Sequence, residues 1–210
     1  GYKSIGGVWA AGGTMNTATA DPGQAGIQTA ALSFCGFSSP PFSLITSVEE
    51  YDGATWSPGG AMGTARYAIA SAGTLTSALG AGGSTGSAPY ANANTEEYDG
   101  TSWSPGGNLG TARYSLSGCG TQTSALAFGG RPPANGLANT EEYDGSAWTG
   151  GGNLGTVRRD FAGAGTQTAG LAFGGSNPTL LTATEEYDGS SWTAGGSLPT
   201  ATQGLGGTGT

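Results

Sequence analysis

The string Glu-Glu-Tyr-Asp-Gly occurs four times, at Glu49–Gly53, Glu96–Gly100, Glu141–Gly145 and Glu185–Gly189. A tryptophan follows each copy: Trp56, Trp103, Trp148 and Trp192. Trp9 is a fifth, trailed by Ala10-Ala11-Gly12-Gly13 much as Trp192 is by Thr193-Ala194-Gly195-Gly196. The tryptophans lie 47, 47, 45 and 44 residues apart. A unit of that length is one supersecondary piece that cannot bury its apolar face alone and must stack on its neighbours. The repeat therefore constrains the fold more than any composition value does.

One unit reads from Thr111 to Leu154 as four short strands. Tyr114–Thr121 is small-residue rich (strand a), and Gly120–Thr123 turns the chain. Ser124–Gly130 alternates Leu126 and Phe128 with Ala125 and Ala127, the period of two of a β-strand (strand b). Thr140–Asp144 alternates again (strand c), Asp144-Gly145 forms a tight turn, and Ser146–Thr149 carries Trp148 (strand d). No segment sustains a helical period. The units span about 17–60, 64–107, 111–152 and 156–196. The first is degraded but in phase: Thr17–Gly36 aligns with Thr111–Gly130, so Leu32 matches Leu126 and Phe34 matches Phe128. Thr200–Thr210 aligns with Thr111–Thr121. The chain thus begins near a strand d and stops after a strand a.

The chain holds 43 glycines and 10 prolines among 210 residues, a content that reads as low complexity unless it recurs with a period, as it does here. Twelve of the fourteen acidic residues belong to the four motif copies; only Asp21 and Asp160 lie outside them. The net charge of −8 argues against a nucleic-acid partner, which needs a basic surface. No apolar run reaches the ~18 residues of a membrane span, so membrane insertion is not expected, and no targeting segment is legible. With no histidine and one lysine, Lys3, histidine general bases, histidine metal ligands and most Schiff-base chemistry drop out. Cys35 and Cys119 fall in non-adjacent units and read as buried free thiols.

A Gly-Gly doublet, a variable loop, Glu-x-Tyr-Asp and then a tryptophan together resemble the kelch repeat. The doublets are Gly82-Gly83, Gly129-Gly130 and Gly174-Gly175, with Cys35-Gly36 as a departure. Glu49 and Tyr51, Glu96 and Tyr98, Glu141 and Tyr143, and Glu185 and Tyr187 carry the second part. Arg66, Arg113 and Arg158 match the kelch-like arginine after the tryptophan, with Thr19 and Thr202 in its place in the outer units. The resemblance covers nearly the whole chain. It implies an all-β fold, a β-propeller of four-stranded blades. The strand count and the complementary chain ends then give a single propeller over residues 1–210 with five blades, the fifth built from 200–210 plus 1–13 and closing the ring. Closure would remove exposed sheet edges. Strand b of that fifth blade is missing; the blade has three strands, or Gly1–Ile5 serves as the missing piece, or the polypeptide is longer.

Packing is expected to set the bulky face of each strand b on the small-residue face of the next blade. The once-per-unit arginine and glutamate read as an ion pair locking neighbouring blades; a ring of arginines at an anion-binding mouth is the alternative. Asp-Gly-x-x-Trp departs from the sialidase Asp-box, because its glycine comes one residue early. The Glu-Glu pairs are equivalent by repetition, whereas catalytic acids usually break symmetry. No catalytic residue, cofactor or metal is therefore expected. Calcium at the Asp-Gly turns is the metal alternative, and a hydrolase or lyase built on Asp160 beside Arg158 and Arg159 is the catalytic one.

Diversity concentrates in the b-to-c loops at 37–46, 84–94, 131–139 and 176–183. In an up-and-down blade these share one rim with the d-to-a connections. They carry prolines and apolar tips, and Phe42, Tyr90, Arg131, Leu137 and Leu180 are the candidate contact residues. The expectation is a non-enzymatic binding or structural module. Low-lysine arrays rich in Gly, Thr and Ala look like those of phage and environmental surface proteins. That analogy points to a component of a virion or extracellular appendage, with protein subunits or surface glycans as partners. An intracellular adaptor, as many kelch propellers are, is the second expectation.

Overall fold

A computed structural model describes residues 11–132 and 136–209. Among them there is no helix, and the strands form four four-stranded antiparallel sheets. Sheet I holds β1 (Gly23–Ile27) and β2 (Ala30–Phe34). A small hairpin follows, β3 (Phe37–Ser38) with β4 (Ser43–Leu44), and the sheet resumes with β5 (Val48–Tyr51) and β6 (Trp56–Pro58). Sheet II is β7 (Ala70–Thr74), β8 (Ser77–Ala81), β9 (Thr95–Tyr98) and β10 (Trp103–Pro105). Sheet III is β11 (Ser117–Thr121), β12 (Ser124–Phe128), β13 (Thr140–Tyr143) and β14 (Trp148–Gly150). Sheet IV is β15 (Ala162–Thr166), β16 (Ala169–Phe173), β17 (Thr184–Tyr187) and β18 (Trp192–Ala194). Strand order follows chain order in every sheet.

The turns explain the register. In sheet III, Thr121 pairs with Ser124 and Tyr143 with Trp148. Asp144 caps the second turn, its Oδ1 accepting from the amides of Ser146 and Ala147 at 2.8 Å each. Gly145 supplies the required φ of 92°. Asp52, Asp99 and Asp188 repeat that cap.

The sheets pack through the alternation of their second strands. Leu32 and Phe34 of sheet I share a core with Ala78, Tyr98 and Trp103 of sheet II. Leu126 and Phe128 of sheet III do the same with Ala172, Tyr187 and Trp192 of sheet IV. A Cβ on Gly170 would lie 3.0 Å from Leu126, which is why the small side is small. Sheets II and III follow suit, except that Ala81 stands where the other sheets have phenylalanine.

Polar locks cross the same interfaces. The hydroxyls of Tyr98, Tyr143 and Tyr187 donate to Glu50, Glu97 and Glu142 of the preceding sheet at 2.5 Å. The indole N–H groups of Trp148 and Trp192 donate to Thr95 and Thr140 at 2.9 Å. Trp103 lacks such an acceptor because Val48 replaces the threonine, and its Nε1 is buried without a partner. Gln122 Nε2 donates back to the carbonyls of Ala78 and Tyr98, and Gln167 to those of Ala125 and Tyr143.

The first strands β1, β7, β11 and β15 lie side by side in that order. Residues 198–209 continue the series beside sheet IV without forming a regular strand. Gln24, Ser71, Gly118, Gly163 and Gly207, one from each segment, line a common cavity. Five residues at the repeat spacing turn the chain into these segments with positive φ: Asp21, Ala68, Ser115, Asp160 and Gly204. Their backbones form a hydrogen-bonded series. Ala68 N donates to Asp21 O, Ser115 N to Ala68 O, Asp160 N to Ser115 O and Gly204 N to Asp160 O, at 2.9–3.2 Å. The part of the fifth sector expected from residues 1–10, including Trp9, lies outside the described residues.

Replacing Tyr143 by Phe leaves Glu97 without its hydroxyl donor across an intersheet seam. A loss of about 1.5–3 kcal/mol is expected, the usual worth of a hydrogen bond to a charged group. Denaturant unfolding of the variant against the parent checks it.

Candidate functional site

The variable loops gather where the second and third strands of each sheet connect. Each loop starts on a pair of left-handed residues: Gly82-Gly83, Gly129-Gly130 and Gly174-Gly175, with φ between 62° and 101°. Cys35, in place of the first glycine, still adopts φ 58°. The first loop residue then bridges to the residue before the inner corner of its own repeat, as Phe37 does to Ala20, Ser84 to Tyr67, Arg131 to Tyr114 and Ser176 to Arg159. The loops and the inner corners thus share one rim.

The expected contact residues divide on this rim. Phe42, Tyr90 and Leu180 are exposed, at 54%, 45% and 49%. Phe42 is held by Phe37 and Tyr67, with ring centroids 5.0 and 6.0 Å away. Gly86 of the second loop approaches Phe42, so the first two loops touch. Leu137 and Arg131 differ from expectation. Leu137 is half-buried and bridges to Arg158, and the Arg131 guanidinium lies 4.7 Å over the Tyr114 ring with its Nε buried. Both fold back onto the scaffold, because a backbone bridge and a cation–π contact hold them there.

The arginines need a larger correction. Arg66, Arg113 and Arg158 are 0% exposed, which excludes an arginine-lined mouth. Nor do their side chains lock neighbouring sheets. Arg66 reaches Glu96, Gly80 O, Gly82 O and Asn94 O, all in its own repeat. Arg113 pairs with Glu141 and Arg158 with Glu185 in the same way. Each pins the entering linker to the sheet it is about to build. In the first repeat, where Thr19 replaces arginine, Glu49 is served by the backbone amides of Asn16 and Thr17 at 2.7 Å and by the Asn16 side chain. Burial pushes the Glu49 carboxyl up, but those donors outweigh it and hold it below the usual range.

Sequence reasoning named the first glutamate of each motif and missed the second. Glu50, Glu97 and Glu142 are the acceptors of the intersheet tyrosines. Alternation carried the signal, since Glu49 and Glu50 must point to opposite faces of β5. Burial, with the hydrogen bond to the neighbouring carboxylate, pushes the phenols of Tyr98, Tyr143 and Tyr187 up to about 12.

The remaining chemistry candidates are consumed or isolated. Amide and hydroxyl donors hold the Asp52, Asp99, Asp144 and Asp188 carboxyls below their ordinary value, Asp188 at about 2. The Asp-Gly turns are thus satisfied by the chain itself. No group of three metal-ligating side chains occurs among the described residues. Burial pushes the thiols of Cys35 and Cys119 up to about 11 and about 12, so both stay protonated at neutral pH. Cys35 Sγ lies 3.2 Å from Met62 Sδ in the core. Asp160 shares a mouth with Asp21 at the inner corners. Arg158, expected beside it, is committed to Glu185. Burial, then the charge of Asp160, raises the Asp21 carboxyl.

A scan against protein-family models gives no match to this chain, and comparison with curated proteins gives none.

Two outcomes follow from these charges. Arg113→Ala strands the buried Glu141 carboxylate and should cost about 3–5 kcal/mol; an unchanged melting temperature would count against the pairing. Asp21→Asn should raise the melting temperature at pH 7. A raised carboxyl stabilises the fold only while protonated, and that contribution is lost as pH rises through its folded pKa. At about pH 3, where an unfolded aspartate is also largely protonated, the variant and parent should melt alike.

Proposed function

We propose that the chain is a five-sector kelch-like propeller that acts as a binding or structural module through its variable rim, in a virion or extracellular appendage. The fifth sector uses residues 200–210 with 1–13. Support for the architecture comes from the hydrogen-bonded series of five inner corners and from the shared cavity lined by five segments at the repeat spacing.

The observation that carries the binding role is the placement of Phe42, Tyr90 and Leu180. They are exposed apolar tips on the rim that carries the variable loops. Rigid loops with apolar ends suit recognition. An aromatic face held as Phe42 is by Phe37 and Tyr67 suits the apolar face of a sugar ring or a partner's side chain. The occupant is a surface glycan or a neighbouring protein subunit.

The triple variant Phe42→Ala, Tyr90→Ala, Leu180→Ala tests this. Its melting temperature should stay close to the parent's, since exposed side chains contribute little, while capture on a glycan array or self-association by light scattering is lost. A parent that captures no glycan and remains a monomer in light scattering would overturn the reading.

A further inference from the structure

Six lysine and arginine residues stand against fourteen acidic ones in this chain. Arg66, Arg113 and Arg158 are buried, and each meets a glutamate of its own repeat. Lys3 lies outside the described residues. Arg131 and Arg159 remain. Both are half-buried, and both sit in the backbone bridges of the variable rim. All fourteen acidic residues fall within the described part of the chain, yet among the described residues neither of these arginines forms an ion pair.

The two arginines are brought together by the backbone. Gly130 N donates to Arg158 O at 2.9 Å, and Arg131 and Arg159 each follow one end of that hydrogen bond. The seam between sheets I and II shows how closely side chains at these positions approach. There Gly36 N donates to Arg66 O in the same way, Phe37 and Tyr67 hold the two positions, and their ring centroids are 5.3 Å apart. Between sheets III and IV both positions are cationic. The Arg131 guanidinium lies 4.7 Å over the Tyr114 ring, which fixes where its charge sits. Two like charges so placed repel each other unless an anion lies against them. The rim beside them is polar and neutral. Ser176, bridged to Arg159, leads into the exposed Asn177, Thr179 and Leu180. A Cβ on Gly136 of the third loop would lie 3.7 Å from Asn177 Oδ1, so the third and fourth loops meet here.

We propose that Arg131 and Arg159 form an anion-binding subsite of the variable rim, and that its ligand is an acidic saccharide bearing carboxylate or sulfate groups. The inference rests on the binding-module reading and names the class of ligand. Guanidinium groups present N–H donors in a fork that matches the oxygens of such anions. The Asn177 amide and the Thr179 hydroxyl supply neutral donors and acceptors of the kind sugar hydroxyls need. An extended acidic peptide suits the place less well. The main chain at Arg131, Leu137, Arg158, Arg159 and Ser176 is already bridged, whereas a peptide that adds as a strand needs an open edge. The contrast with the other arginines carries the assignment: three are neutralised by a glutamate within the fold, and these two are left side by side with their charge unspent.

Calorimetric titration of the protein with an oligogalacturonate and with a sulfated oligodextran tests this, each beside its uncharged counterpart, the methyl ester and the unsulfated dextran. At least one acidic oligosaccharide should bind saturably, and its uncharged counterpart at least about tenfold more weakly. Which of the two binds separates carboxylate from sulfate as the recognised group. Raising the salt from about 20 to about 200 mM should weaken binding, as for any exposed charge pair. Arg159→Gln should lower the affinity at least about tenfold, and Arg131→Gln combined with it further. Arg159→Gln leaves the Arg131–Tyr114 stack in place, so its melting temperature should stay near the parent's and its effect is read on a folded protein. No saturable binding of either acidic oligosaccharide, binding indifferent to both variants, or equally tight binding of an oligoglutamate overturns the proposal. Capture of a neutral glycan that depends on Phe42, Tyr90 and Leu180 but not on the arginines rejects only the acidic class. A parent that captures no glycan and remains a monomer rejects the binding-module reading itself.

Discussion

Each of three repeats places one arginine where its side chain and its backbone serve two different sheets. The Arg113 guanidinium is buried in the sheet it precedes, donating to Glu141 and to the carbonyl of Ala127. Its own carbonyl accepts from Gly83 of the sheet before, at 2.9 Å. Arg66 and Arg158 repeat this with Gly36 and Gly130, and Thr202 does so with Gly175 by backbone alone. A buried guanidinium is costly unless its donors are met. The linker can therefore take only the path that delivers the side chain to the glutamate, and that path fixes the carbonyl against the neighbouring sheet. Stacking geometry in these three repeats thus follows from pairing the guanidinium with its glutamate and the nearby carbonyls, while Nε of each arginine stays buried without a partner.

With that constraint met, the motif's other polar groups fall into separate tasks. The first glutamate holds the linker, the second receives the tyrosine of the next sheet, and the aspartate caps the outer turn. Twelve of fourteen acidic side chains belong to these motif copies, so the strong negative charge comes with the repeat. What remains free to differ is the rim. There the glycine doublets fix where each loop leaves and returns, while the loop between them varies in length and in the apolar residue at its tip.

Much of the strand pattern was legible from residues alone. The alternation in Ser124–Phe128, the Asp144-Gly145 turn and the match of Thr17–Gly36 to Thr111–Gly130 place strands that the structure has within a few residues. Periodicity reports which side of a strand a residue takes, so Leu126 and Ala127 could be assigned to opposite faces. It does not report which element those faces meet. That is why Glu96 was read as bridging sheets when it pins a linker within one, and why Glu50, on the opposite face, went unnoticed. Leu137 and Arg131 show the same limit. Their exposure depends on Arg158 and Tyr114, which come from the linker segments leading into sheets IV and III.

The sequence by itself determined the repeat, the strand alternation and the burial of small against large faces, because these are local and periodic properties. Only the tertiary structure decided which partner each polar side chain meets and which loop tips stay in solvent. Those outcomes depend on contacts between residues tens of positions apart, and no local pattern encodes them.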